Sequence, residues 1–187
     1  MMNIIITSPS LNPKVNVSGI SSVTQFIISN NRKQNYLHFE LGKKDKEKGG
    51  WHRIPALLKK YREWKNVLAL HPEAIVHYNF PLSKASLLRD PWFMRYAWKN
   101  GRKMVVHVHG GLFLTAPHIP GILMRIMKWV FGQNLPFIVL SDMEKDILTE
   151  RFGAKKVAVL PNCVDLSDAA AFEKEQVLHD ESKPLRI

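Results

Sequence analysis

Val105-Val106-His107-Val108-His109-Gly110-Gly111 decides how this chain reads. Side chains alternate along a strand, so Val106 and Val108 share one face while His107 and His109 share the other. The glycine pair ends the run and leaves His109 where strand gives way to loop. The residues before it, 83–99, carry a helical pattern that Gly101 stops, and residues 119–131 form a second apolar, basic-studded helix after it. A short apolar strand between two helices is the repeating unit of a parallel α/β sheet.

The unit recurs in both directions. Upstream, strands are predicted at 4–6, 36–41 and 74–78, and helices at 18–33 and 54–68. Ile20, Val23, Phe26 and Ile27 give the first helix one apolar face, and Pro55 suits the first turn of the second. Residues 43–50 form a charged loop ending in glycine. Downstream, strands are predicted at 137–140 and 157–160. Ser141, with Glu144 three residues on, has the pattern of a capping box for the helix between them. The fold expected is α/β: a doubly wound, Rossmann-like parallel sheet of about six strands with helices on both faces. Its ligands belong outside the carboxyl ends of the strands. Residues 1–165 are assigned to this domain. Residues 166–187 are rich in charge, lack a strand pattern and end in what reads as the start of another strand, so they are expected to be a linker into a further domain.

At 187 residues and 45% hydrophobic content, the chain can bury one sizeable core. Its net charge of +11 favours anionic partners without choosing among phosphorylated substrates, lipid surfaces and nucleic acid. Zinc-finger spacing, an RNP-type aromatic motif and a compact basic run are all missing, so no specific nucleic acid is expected. Cys163 stands alone, which forbids an internal disulfide and fits a reducing compartment. The start, Met2-Asn3-Ile4-Ile5-Ile6, lacks the basic and long apolar regions of a signal peptide, and no apolar run reaches the ~20 residues of a spanning helix. A cytoplasmic location is expected. Peripheral contact with an anionic inner membrane face is a further expectation, because helices 54–68 and 119–131 set Arg and Lys among Trp, Leu and Ile. The same stripes also fit core packing with solvated charges.

Candidate site residues fall at the strand ends, each with a plain structural alternative. Gly19 opens the first helix, where backbone N–H groups can approach a phosphate; it equally suits a loop and helix start. The fingerprint G-x-G-x-x-G is absent, which disfavours a dinucleotide cofactor. Asn79, one alternation beyond His77, can meet a ligand or cap a loop. His109 can exchange a proton near neutral pH or make a structural hydrogen bond. Asn162 and Asp165 suit a tight turn after Pro161. Two histidines two apart with no Cys or acidic cluster do not make a zinc site, so no metal is expected.

Taken in order, these pieces resemble the amino-terminal half of the family 4 glycosyltransferases of GT-B fold. The resemblance rests on Ile4-Ile5-Ile6 followed by Ser18-Gly19-Ile20, on Val106-His107-Val108-His109-Gly110, on Phe137-Ile138-Val139-Leu140-Ser141, and on Pro161-Asn162-Cys163-Val164-Asp165. The last two in tandem are the most specific. Two departures stand out: Cys163 occupies a position where the family usually has glycine, and Ser18 precedes Gly19 where two glycines are usual.

The resemblance implies retaining transfer, of hexosyltransferase type, from a nucleotide-diphosphate sugar to a hydroxyl of a glycan or lipid-linked glycan. No cofactor beyond that donor substrate is implied. Gly19 would approach the donor diphosphate, and His109 would act at the reacting centre. Whether His109 is a general base, or the leaving phosphate itself takes the proton, stays open. Asn79, Gly110, Ser141 and Asn162 would contact the sugar or acceptor. The family's donor-binding domain lies beyond this chain, so these residues alone are expected to be folded but catalytically silent. A stand-alone α/β ligand-binding module is the alternative.

Overall fold

The computed structural model describes residues 1–43, 50 and 53–162. The stretch 166–187, together with Cys163 and Asp165, lies outside the described residues, as does most of the charged loop at 43–50.

Six strands form one all-parallel sheet: β1 (Asn3–Ser8), β2 (Asn35–Glu40), β3 (Ile75–Phe80), β4 (Met104–Val108), β5 (Pro136–Val139) and β6 (Lys156–Val159). Their spatial order is β2-β1-β3-β4-β5-β6. The chain runs outward from β1 to β2, then crosses back to β3 and continues the other way. The switch point lies between β1 and β3, and that is where such sheets open a crevice at their carboxyl ends. Register is set by burial. Ile5, Val76 and, through β4, Val106 lie on one face in line with Phe137, while Ile6, His77 and His107 lie on the other.

The helices are α1 (Gly19–Asn30), α2 (Ile54–Leu70), α3 (Lys84–Lys99), α4 (Leu112–Thr115), α5 (Gly121–Phe131) and α6 (Asp142–Phe152). One hydrophobic cluster joins Val76, Tyr78, Val106, Val108 and Phe137 of the sheet to Trp64 of α2, Phe93 of α3, Met127 of α5 and Leu148 of α6. Right-handed crossovers place these helices together, because the chain moves in one direction from β2 to β6. The β1-to-β2 crossover runs the opposite way, so α1 lies on the other face, where its Thr24 reaches Asn79 of β3. Helices therefore cover both faces, as the sequence predicts, but unequally. The apolar stripe of α2 is core in its second half: Trp64 and Leu68 are buried, and Trp64 Nε1 donates to the Phe93 carbonyl at 3.0 Å, whereas Ile54 and Leu58 nearer its start are exposed.

Several boundaries differ from the sequence reading. The first helix stops at Asn30 rather than 33, because Asn31 leaves helical geometry and its side chain donates to the Tyr36 hydroxyl. The fifth starts at Gly121, where the extended Pro120 precedes it, and the short α4 has no periodic signal in four residues. Ser141 caps α6 by accepting from Glu144 N–H, but the Glu144 carboxylate accepts from Leu140 N–H at 2.8 Å, so the reciprocal half of the expected box reaches one residue further back. A full capping box forms instead at the start of α3, between Ser83 and Ser86.

Candidate active site at the carboxyl ends of the strands

β3 and β4 are neighbours, so the residues that end them stand side by side. His109 Nε2 lies 2.7 Å from Asn79 Oδ1. The direction of this bond follows from the rest of the Asn79 amide. Its Nδ2 donates to the Thr7 carbonyl at 2.7 Å and to Thr24 Oγ1 at 3.0 Å. A carbonyl only accepts, so the amide nitrogen must face Thr7 and the amide oxygen must face His109. An amide oxygen also only accepts, so His109 Nε2 carries the proton. In the neutral ring the lone pair then sits on Nδ1, which makes no hydrogen bond among the described residues.

Burial keeps that ring neutral. Loss of water pulls the His109 pKa down to about 3, with the nearby His107 and His77 imidazoles adding to the shift. His77 and His107 are each lowered to about 4 by the same burial. The three rings form a ladder on one face of the sheet. His77 Nε2 and His107 Nδ1 are 3.3 Å apart, and the His107 and His109 ring centres are 4.1 Å apart. His107 Nε2 is buried without a partner. The rings stack rather than converge on a point, and among the described residues no group of three His, Cys, Asp or Glu is placed to hold a metal ion.

The loop after β4 is locked against the loop after β3. His109 N–H donates to the Phe80 carbonyl, and Leu82 N–H to the Gly110 carbonyl. Both glycines adopt positive φ, 61° at Gly110 and 124° at Gly111, and a Cβ on Gly111 would lie 2.9 Å from the Leu82 carbonyl oxygen. Only glycine fits there without strain. A Cβ on Gly110 would lie 3.1 Å from Glu144 Oε1, which brings the first turn of α6 beside the His109 loop. Ser141 thereby stands one strand from His109, its hydroxyl engaged as the cap of α6.

Gly19 is exposed at the first position of α1, and a Cβ added there would meet nothing within 4 Å. Nothing in the fold demands glycine at this point, and the helix N-terminus is open to an approaching group. Ser18 Oγ accepts from Ser21 N–H, and buried Asn16 donates to Ser21 Oγ at 2.8 Å, which fixes the loop into the helix. Asn162 is exposed beyond β6, two strands away from β4, so the structure does not bring it to His109.

The structure thus joins His109, Asn79, Gly110 and, through Glu144, Ser141; Gly19 connects to them through α1 and Thr24. Asn79 is buried, with its amide spent on Thr7, Thr24 and His109. Thr7 and Thr24 escaped the sequence reading. The one signal for Thr24 is a polar residue next to Val23 on the apolar side of its helix.

A family model described as Glycosyltransferase Family 4 matches residues 39–168. A search of curated proteins gives no match. Among solved structures, a chain of sucrose-phosphate synthase from Thermosynechococcus elongatus is similar, with a TM-score of 0.50 at 11% identity over 91% of this chain and 94% of that one. At that identity the likeness speaks for the fold.

Proposed function

This chain belongs to glycosyltransferase family 4, and from that premise we propose that it is the acceptor-side half of a retaining GT-B enzyme. The enzyme moves a sugar from a nucleoside diphosphate to a hydroxyl of a glycan or lipid-linked glycan. The observation that carries the reading is the His109 imidazole, held neutral with Nε2–H on Asn79 and Nδ1 unclaimed at the carboxyl ends of the strands.

A base works best when its pKa lies near the operating pH. An imidazole with a pKa of about 3 is a poor proton acceptor at neutral pH but a good hydrogen-bond acceptor. His109 Nδ1 therefore orients the attacking hydroxyl by accepting its hydrogen bond. As the bond from the anomeric carbon to the diphosphate oxygen breaks, the acceptor oxygen bonds to that carbon on the same face. The single hydroxyl proton, shared between His109 Nδ1 and the diphosphate oxygen in a bifurcated hydrogen bond, passes to that oxygen as the diphosphate departs. The open N-terminus of α1 at Gly19 offers backbone N–H groups and the positive end of a helix dipole to that diphosphate. The donor's nucleotide is held by a domain outside these residues, so this half alone does not turn over.

The experiment is product analysis by NMR with the full gene product and a panel of nucleotide sugars. The reading expects release of nucleoside diphosphate and a product whose anomeric configuration matches the donor's. An inverted product would contradict the retaining assignment. Hydrolysis or no turnover with every donor would contradict transfer.

A further inference from the structure

We propose that the groove between α3 and α5 is a docking face for an anionic lipid bilayer. Leu88, Trp92 and Arg95 of α3 line it on one side, and Arg125, Ile126 and Trp129 of α5 on the other, around a volume of about 380 Å³. The exposure is unusual for such residues: Trp92 is 62% and Trp129 40% accessible, with Leu88 and Ile122 also exposed nearby. Large aromatic rings in water, set next to cations, are the composition of an interfacial helix surface. A small-molecule pocket would converge several polar groups on its ligand. Here the charged lining groups are Arg95 and Arg125 alone.

Charge selects the partner. From residue 91 to residue 141 the chain has no Asp or Glu, whereas Arg95, Lys99, Arg102, Lys103, Arg125 and Lys128 fall within that stretch. Asp90, just before it, is buried against Arg89 and offers no surface anion. Among the described residues, neither Arg95 nor Arg125 forms a salt bridge. A groove with apolar rings, cations outside any ion pair and no acid in its lining complements an anionic lipid surface. Two of the α2 cations are engaged: Lys60 pairs with Glu63 at 2.9 Å and Lys65 lies over the Tyr96 ring, while the indole of Trp64 is buried. Of the two helices that the sequence offers for a membrane, the structure favours 119–131 and adds α3 beside it.

The placement also has a use. α3 and α5 each enter from the carboxyl end of a strand, β3 and β4 respectively, so their N-termini lie at the edge of the sheet that carries His109. Docking through this groove holds that edge near the lipid surface, where a lipid-linked acceptor resides. That purpose rests on the transfer reading; the docking itself does not. Among the described residues no helix is long and apolar enough to cross a membrane.

The test is co-sedimentation of this chain with vesicles of equal parts phosphatidylcholine and phosphatidylglycerol, with phosphatidylcholine alone as comparison. The wild type is expected to bind the anionic vesicles, less so as salt rises. Trp92→Ala/Trp129→Ala should lower partitioning about tenfold or more, as aromatic surface no longer leaves water. Lys59→Ala/Lys65→Ala, which removes two positive charges from α2 and leaves the groove intact, should change it much less. Lipids brominated on their chains should quench wild-type tryptophan fluorescence, and Trp92→Phe/Trp129→Phe should bind yet lose most of that quenching. Both groove residues are exposed, and thermal melts check that the variants fold. Unchanged partitioning of the alanine pair, an equal loss from the α2 pair, or unaltered quenching in the phenylalanine pair would overturn the proposal. So would a wild-type dimer that the alanine pair converts to monomer, since a second copy would then cover the groove.

Discussion

Asn79 Oδ1 accepts from His109 Nε2 at 2.7 Å, and that contact decides which nitrogen of the imidazole is basic. The direction is imposed from behind, by the Thr7 carbonyl that Asn79 must satisfy with its NH₂ group. Asn79 is thus a positioning residue for His109. Long-range ¹H–¹⁵N correlation spectra should show the His109 ring of this chain as the Nε2–H tautomer. In Asn79→Ala the ring should average between tautomers, and stability should fall by roughly 2–3 kcal/mol as buried partners lose their bonds. A protonated Nδ1 in the wild type would contradict the assignment.

The histidine ladder predicts a pH dependence of stability. His77, His107 and His109 have native pKa values of about 4, about 4 and about 3, against 6.5 for a free imidazole. Between those values the unfolded chain binds protons that the native ladder refuses. Stability from this source is therefore complete above about pH 6.5 and is lost as pH falls through that window. Urea midpoints at about pH 7 and about pH 4.5 should show the loss, and His107→Leu, which keeps a buried side chain but does not titrate, should shrink it. An identical loss in His107→Leu would contradict the account.

The repeated alternation of short apolar strands with helices was enough to give the sheet its parallel character, and Ser141 was legible as a cap because a cap is a local device. What escaped depends on partners far apart in the chain. Thr7, Thr24 and Asn79 lie on β1, α1 and β3, and no pattern within one element announces that they share an amide. Glu144 keeps its place in the first turn of α6, but its carboxylate turns to Leu140 beside the Gly110 loop, a choice made by tertiary neighbours. Asn79 and Ser141 could be placed at strand ends from sequence, but their burial and hydrogen-bond duties could not. Trp129 could be read from sequence as part of an apolar, basic-studded helix, but its meeting with Trp92 across one groove depends on how α3 and α5 pack.

Two glycines separate backbone demand from ligand approach. Gly111→Ala forces a Cβ against the Leu82 carbonyl at a φ of 124° and should cost roughly 1–3 kcal/mol. Gly19→Ala meets no atom, so stability should stay within about 0.5 kcal/mol of wild type. In the full gene product, Gly19→Ala should nevertheless weaken inhibition by the nucleoside diphosphate, because the methyl group blocks close approach to α1. Equal inhibition of both proteins would remove Gly19 from the diphosphate site.

The central claim is that His109 orients the attacking hydroxyl in a sugar transfer. Nucleoside diphosphate release by the full gene product, wild type against His109→Ala at matched folded concentration, tests it most directly. The account predicts a fall in kcat of about a hundredfold, the scale of one transition-state hydrogen bond, with the fold retained though somewhat less stable because buried Asn79 Oδ1 loses its donor. Turnover of His109→Ala equal to wild type would contradict it.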